Sequence, residues 1–185
     1  MQQAAAIDAP IVAHVEDISL VNGGVIHDGA AAKRLNVPGI PSVSESAQVA
    51  RVIELARATG VHYHICHIST KETVALVRRA KADGVNITCE VTPHHLLLDD
   101  RSIISDDAML KMNPPLRTLA DRQSLWAGLM DGTIDVIATD HAPHTAAEKS
   151  QSLLQAPFGI VGSETAFSLL YTHLVVNGPL SLIHI

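Results

Sequence analysis

Four short runs, IVAHV (11 to 15), VHYHICHI (61 to 68), VNITCEVT (85 to 92) and IDVIAT (134 to 139), are nearly continuous in apolar residues, and the stretches between them carry apolar residues at helical spacing. A strand that is apolar on both sides of its pleat needs a covering layer on each side, and helices threaded between strands supply those layers. Successive parallel strands also need long crossovers, for which a helix is the usual solution. The alternation therefore predicts an α/β fold on a parallel sheet covered on both faces.

The helices are read from caps and stripes. Ser42 and Glu45 form a capping box ahead of Val49, Val52, Ile53 and Ala56, and Gly60 supplies the stop. Ser69 and Glu72 repeat the pattern before Val74, Val77 and Ala80, with Gly84 closing that helix. A third helix is expected over 118 to 130, where Leu125, Trp126 and Leu129 share one side, and a last one runs from about Ser163 to Val176.

A chain of 185 residues, 47% of them hydrophobic, suffices for one core. The formal charge of -6 and the lack of a basic run exclude nucleic acid as a partner. No stretch reaches the roughly 20 apolar residues of a bilayer span, and the N-terminus does not have the order of a signal peptide. Cys66 and Cys89 sit inside apolar runs and read as reduced thiols, which fits a cytoplasmic protein.

The polar residues gather where the strands end. His14, Glu16 and Asp17 follow the first run, His67 the second, His94 and His95 the third, and Asp140, His141 and His144 the fourth. Parallel α/β proteins build their sites at these carboxyl ends. Two imidazoles and a carboxylate from separate strands suit Zn²⁺, Co²⁺ or Mn²⁺, which take mixed nitrogen and oxygen ligands. A single strand-end histidine is more often a hydrogen-bonded structural group; it is the set that points to metal. By alternation Asp140 shares a face with Ala138, Val136 and Ile134, and His67 with Ile65 and Tyr63. His62 and His64 fall on the opposite face as packing or supporting groups, and Cys66 turns its sulfur away from the site. His27, His173 and His184 have no constellation around them. Asn113, before a proline pair, either starts a turn or presents its amide to a ligand.

Six strings, AHVEDISL, CHIST, EVTPHHLLL, KMNPPLR, TDHAPH and PFGIVGSE, stand in the order seen in type I dihydroorotases of the amidohydrolase superfamily, which the chain resembles up to about residue 179. The resemblance implies a partial (β/α)₈ TIM barrel, approximately strands 5 to 8 with their helices, over residues 1 to 179. It also implies a two-metal centre at the strand ends, with Zn²⁺ as the expected ion. On that resemblance His14 and His67 hold the second metal, while Asp140 binds the first and serves as general base and acid. Asn113 and His144 contact the substrate, and the backbone at Phe158 and Gly159 closes on its ring. His94 and His95 match without a ligand role.

The reaction so implied is interconversion of L-dihydroorotate and N-carbamoyl-L-aspartate in pyrimidine (UMP) synthesis, with Asp140 carrying the proton between water and leaving nitrogen. The implied partners are the small-molecule substrate and either further copies of the chain or an aspartate carbamoyltransferase. Allantoinase and dihydropyrimidinase share the metal plan but differ around KMNPPLR and TDHAPH. A non-catalytic dihydroorotase-like scaffold that binds a carbamoyltransferase is the rival from another class.

The family's first-strand His-x-His with its arginine and its fourth-strand bridging carboxylate do not occur here. The chain is therefore expected to be the C-terminal half of a longer protein, with two open sheet edges, prone to aggregate and inactive alone. LSLIHI, residues 180 to 185, departs from the family's continuation and is expected to be a non-native tail.

Overall fold

The computed structural model describes residues 1–181, so residues 182–185 of the expected tail lie outside the described residues. In chain order the elements are α1 (Gln2–Ala6), β1 (Ile11–Ala13), α2 (Ile18–Val21), β2 (Ile26–His27), α3 (Ala30–Leu35), β3 (Gly39–Ile40), α4 (Val43–Thr59), β4 (Tyr63–Ile65) and α5 (Lys71–Ala82). They continue with β5 (Ile87–Val91), α6 (Pro93–Leu97), α7 (Leu119–Met130), β6 (Val136–Ile137), α8 (Ala146–Lys149) and α9 (Ala166–Leu170), which runs into a π-helical turn at Tyr171–Val176.

The four expected strands are β1, β4, β5 and β6, and they form one sheet in that order with every pair parallel. They are shorter than the apolar runs because only the paired residues count as strand. One face is covered. Tyr63, Ile65, Ile87, Cys89 and Val91 are buried and pack with Val49, Val52 and Ile53 of α4, Val74 and Val77 of α5, and Leu125 of α7.

The other face is open, contrary to the expectation of two covered faces. Val12 pairs with His64 and His64 with Thr88, and this row looks away from the helices. Val12 is 62% exposed and Val136 45% exposed. The apolar runs concealed this asymmetry, since Val12 and Val136 look like core residues by type. The small parallel pair β2–β3 was also missed, because two residues per strand carry no period.

The helix ends divide in the same way. Gly60 adopts φ 71 at the end of α4, as its position predicts. The capping box at Ser42 does not form: Ser42 caps nothing with its side chain, because the Glu45 carboxylate is drawn instead to Ser69 and Thr70. For the same reason α5 starts one residue later than expected, with Thr70 as its cap, accepting from Thr73 N. Thr118 and Asp121 make a complete capping box on α7. Trp126 anchors that helix by donating from Nε1 to Leu96 O at 2.8 Å. The last helix begins at Ala166 rather than Ser163.

Candidate metal centre and its loops

The turns after β1 and β4 bring His14 and His67 together. Nδ1 of His14 lies 3.3 Å from Nε2 of His67, with ring centroids 4.9 Å apart. Two nitrogens bound at roughly 2.0–2.1 Å in tetrahedral arrangement on one Zn²⁺ stand about 3.3–3.4 Å apart, so the pair fits a shared ion. Nδ1 of His67 is buried without a hydrogen-bond partner. Burial pushes the His67 imidazole below its ordinary value against the pull of the Asp140 charge, and neighbouring His14 lowers it further. A neutral imidazole is the form that binds metal.

Both strand-end residues have left-handed backbones, φ 34 at His67 and φ 45 at Asp140. Such conformations are costly for residues with a Cβ and concentrate at functional sites. The alternation used above fails as well: Ile134 is buried while Val136, on the same expected face, is exposed, and Cys66 does not turn away from Asp140. Burial and then the charges of Glu90 and Asp140 push the Cys66 thiol upward, so Cys66 and His67 both lie within the field of Asp140. Among the described residues no three His, Cys, Asp or Glu side chains form a closed metal-binding group.

Glu16 ties His14 to Asn113. Its Oε2 lies 3.3 Å from His14 Nε2 and accepts from Asn113 Nδ2 at 2.9 Å. Burial works to raise the Glu16 carboxyl, yet the bonds from His14 and Asn113 hold it below its ordinary value. The remaining amide oxygen, Asn113 Oδ1, is buried and unpartnered. His144 stands apart from this group, with Nε2 2.9 Å from the carbonyl of Phe158. Gly159 has φ 145, and a Cβ there would lie 2.6 Å from Ala142 O, so only glycine fits.

His64, read from the sequence as a packing or supporting group, bonds Glu90 Oε2 at 3.1 Å, and Glu90 Oε1 accepts from His67 N at 3.3 Å. The other supporting groups were not legible in the sequence. The buried Glu45 carboxylate accepts from the backbone and hydroxyl groups of Ser69 and Thr70. Arg117 lies against it, donating from Nε to Ser69 Oγ at 3.1 Å and from NH1 to Ile40 O at 2.7 Å. His27, for which no constellation was expected, is buried 3.3 Å from Arg117 NH1. His94 and His95 are buried; burial, with the neighbouring imidazole, pushes His94 down to about 2, and burial pushes His95 down to about 4.

A family model described as Dihydro-orotase-like matches residues 1–73. The chain is 98% identical over 182 residues to a dihydroorotase of Latilactobacillus sakei and 63% identical over 182 residues to one of Anoxybacillus flavithermus. Each alignment covers 98% of this chain and 42% of the relative, so the chain spans about two fifths of the curated relatives' length. Among solved structures it is similar to a D-hydantoinase (dihydropyrimidinase) from Thermus sp., with TM-score 0.82 and 28% identity, covering 99% of this chain and 42% of that one. An L-hydantoinase from Arthrobacter aurescens gives TM-score 0.84 at 25% identity with the same coverage.

Proposed function

We propose that this chain, which belongs with the dihydroorotases by sequence, supplies the His14, His67 and Asp140 side of a metal-dependent site that interconverts L-dihydroorotate and N-carbamoyl-L-aspartate in pyrimidine synthesis. The observation that carries it is the meeting of His14 and His67 at 3.3 Å where two parallel strands end. Relatives named dihydroorotase at 98% and 63% identity favour this substrate over those of the hydantoinases, whose identities are 28% and 25%. Because the relatives are more than twice as long, the activity is assigned to a chain of their length, and the 185 residues alone are expected to be inactive. The parallel order of β1, β4, β5 and β6 supports reading residues 1 to 179 as strands 5 to 8 of a (β/α)₈ barrel.

His14 and His67 would hold the ion through facing ring nitrogens, with Asp140 beside them. A divalent metal held there, Zn²⁺ with Co²⁺ or Mn²⁺ as alternatives, would supply Lewis acidity toward the ring carbonyl and a water activated at neutral pH. Asp140 takes the proton of the attacking water and returns it to the ring nitrogen as the amide bond breaks. Glu16 orients both His14 and Asn113, leaving Asn113 Oδ1 free to accept from a substrate N–H. His144 contacts the substrate, and the backbone at Phe158 and Gly159 closes on its ring.

The experiment is an assay of the full-length protein carrying this segment on dihydroorotate, dihydrouracil and allantoin. Dihydroorotate is expected to be hydrolysed fastest, and Asp140→Asn is expected to lower kcat by about 10²–10⁴-fold in a protein that keeps its fold. Turnover of dihydrouracil or allantoin without turnover of dihydroorotate would refute the proposal.

A further inference from the structure

Phe158 and Gly159 lie on a stretch whose shape is set by two buried ammonium groups. Lys111, 3% exposed, donates from Nζ to the carbonyls of Leu153 and Ala156, both at 2.6 Å, and stands 4.5 Å from the centre of the Phe158 ring. Lys149, 7% exposed, donates to the carbonyls of Lys111 and Pro157 at 3.2 Å and of Gly159 at 2.9 Å. The Gly159 N–H closes the loop onto Lys111 O at 3.0 Å. Neither ammonium forms an ion pair among the described residues.

Taking an ammonium out of water costs several kcal/mol, and only a close set of oriented dipoles offsets that cost. Here four of the five carbonyls lie between Leu153 and Gly159 and the fifth is that of Lys111, so the lysines are satisfied while that stretch keeps this conformation. The two cations also repel one another, and the Asp107 charge opposes that repulsion at Lys149 without forming an ion pair. For stability alone an apolar side chain of similar volume would lose little beyond the carbonyls it leaves unpaired. What the lysines add is direction: three donors on each nitrogen gather carbonyls from different sides, which a planar guanidinium does not do.

We propose that Lys111 and Lys149 are positioning residues that hold the 153 to 159 stretch in its substrate-facing shape, presenting the Phe158 ring, the Gly159 backbone and, through Phe158 O, the His144 imidazole to a cyclic amide. This rests on the dihydroorotase reading of the site. In the full-length enzyme, Lys111→Met and Lys149→Met are expected to raise KM for dihydroorotate about 10- to 100-fold while kcat changes far less and metal content stays that of the wild type. A merely structural role would lower the melting temperature and the amount of active enzyme but leave KM alone.

A folded, metal-loaded Met variant with wild-type KM overturns the proposal. Where the Met variants do not accumulate, Lys111→Arg and Lys149→Arg keep the charge and change the donor geometry; a smaller rise in KM supports the proposal, and wild-type KM in both overturns it. Wild-type enzyme without dihydroorotase activity sinks the underlying reading instead. In that case amide hydrogen exchange at Gly159 decides the positioning: faster exchange in Lys149→Met supports it, and unchanged exchange overturns it.

Discussion

Beneath the turn that carries His67, the Glu45 carboxylate meets hydroxyl and amide donors and lies 4.0 Å from the Arg117 guanidinium; beneath the loop that carries Phe158 and Gly159, two ammonium groups meet carbonyls and, at Lys111, the Phe158 ring. In the first region charge is answered by charge, and the bonds tie α4, the turn after β4 and the stretch before α7 into one unit. In the second, charge is answered mainly by backbone dipoles of one loop, with the Lys111 carbonyl beside them. The first arrangement couples the candidate ligand His67 to global stability. The second couples the candidate substrate loop to a local shape that can be lost while the fold survives.

Removing the carboxylate should have the largest effect. Glu45→Ala strands Arg117 and the Ser69 and Thr70 donors in the interior, and is expected to cost about 3–5 kcal/mol in urea unfolding of the full-length protein. A loss below about 1 kcal/mol would mean that the two regions do not differ as described.

Next come the neutral imidazoles beside the first region. His94 and His95 have folded-state values of about 2 and about 4, below the ordinary 6.5, so the unfolded chain binds protons that the folded chain refuses. Their contribution is complete above about pH 6.5 and is lost as pH falls toward the folded values. At pH 5 each costs about 2 kcal/mol relative to pH 7. Measured as unfolding free energy against pH, His94→Leu should flatten the acid slope by that amount; an unchanged slope contradicts it.

Lys111→Met is expected to cost only about 1–2 kcal/mol, the penalty of leaving Leu153 O and Ala156 O unpaired. A loss equal to that of Glu45→Ala would erase the contrast between the regions. The smallest effect serves as a ruler: Thr118→Ala removes one side of the α7 capping box and should cost about 1 kcal/mol in the same unfolding experiment.

The regions also differ in how far they could be read from residues alone. The strands, the α4 and α7 helices and the C-terminal stop at Gly60 followed from period and cap chemistry, because those signals are local. His14 and His67 could be singled out because both fall at strand ends. Glu45 was misread as a cap, since its position fits one and its true partners are 24 and 25 residues away. Lys111 and Lys149 gave no signal, because the residues beside a lysine in sequence do not show whether carbonyls surround its ammonium group in the fold. The left-handed turns at His67 and Asp140 were invisible for a related reason. Neither residue type demands positive φ, so the alternation was carried past the point where the backbone abandons it.

The shared ion between residues 14 and 67 is tested most directly by metal stoichiometry. The full-length protein and its His14→Ala and His67→Ala variants would be purified under identical conditions and their bound metal measured by mass spectrometry, with circular dichroism to establish folding. Both variants are expected to keep their fold and to bind less metal than the wild type. Wild-type metal content in both would contradict the account at its centre.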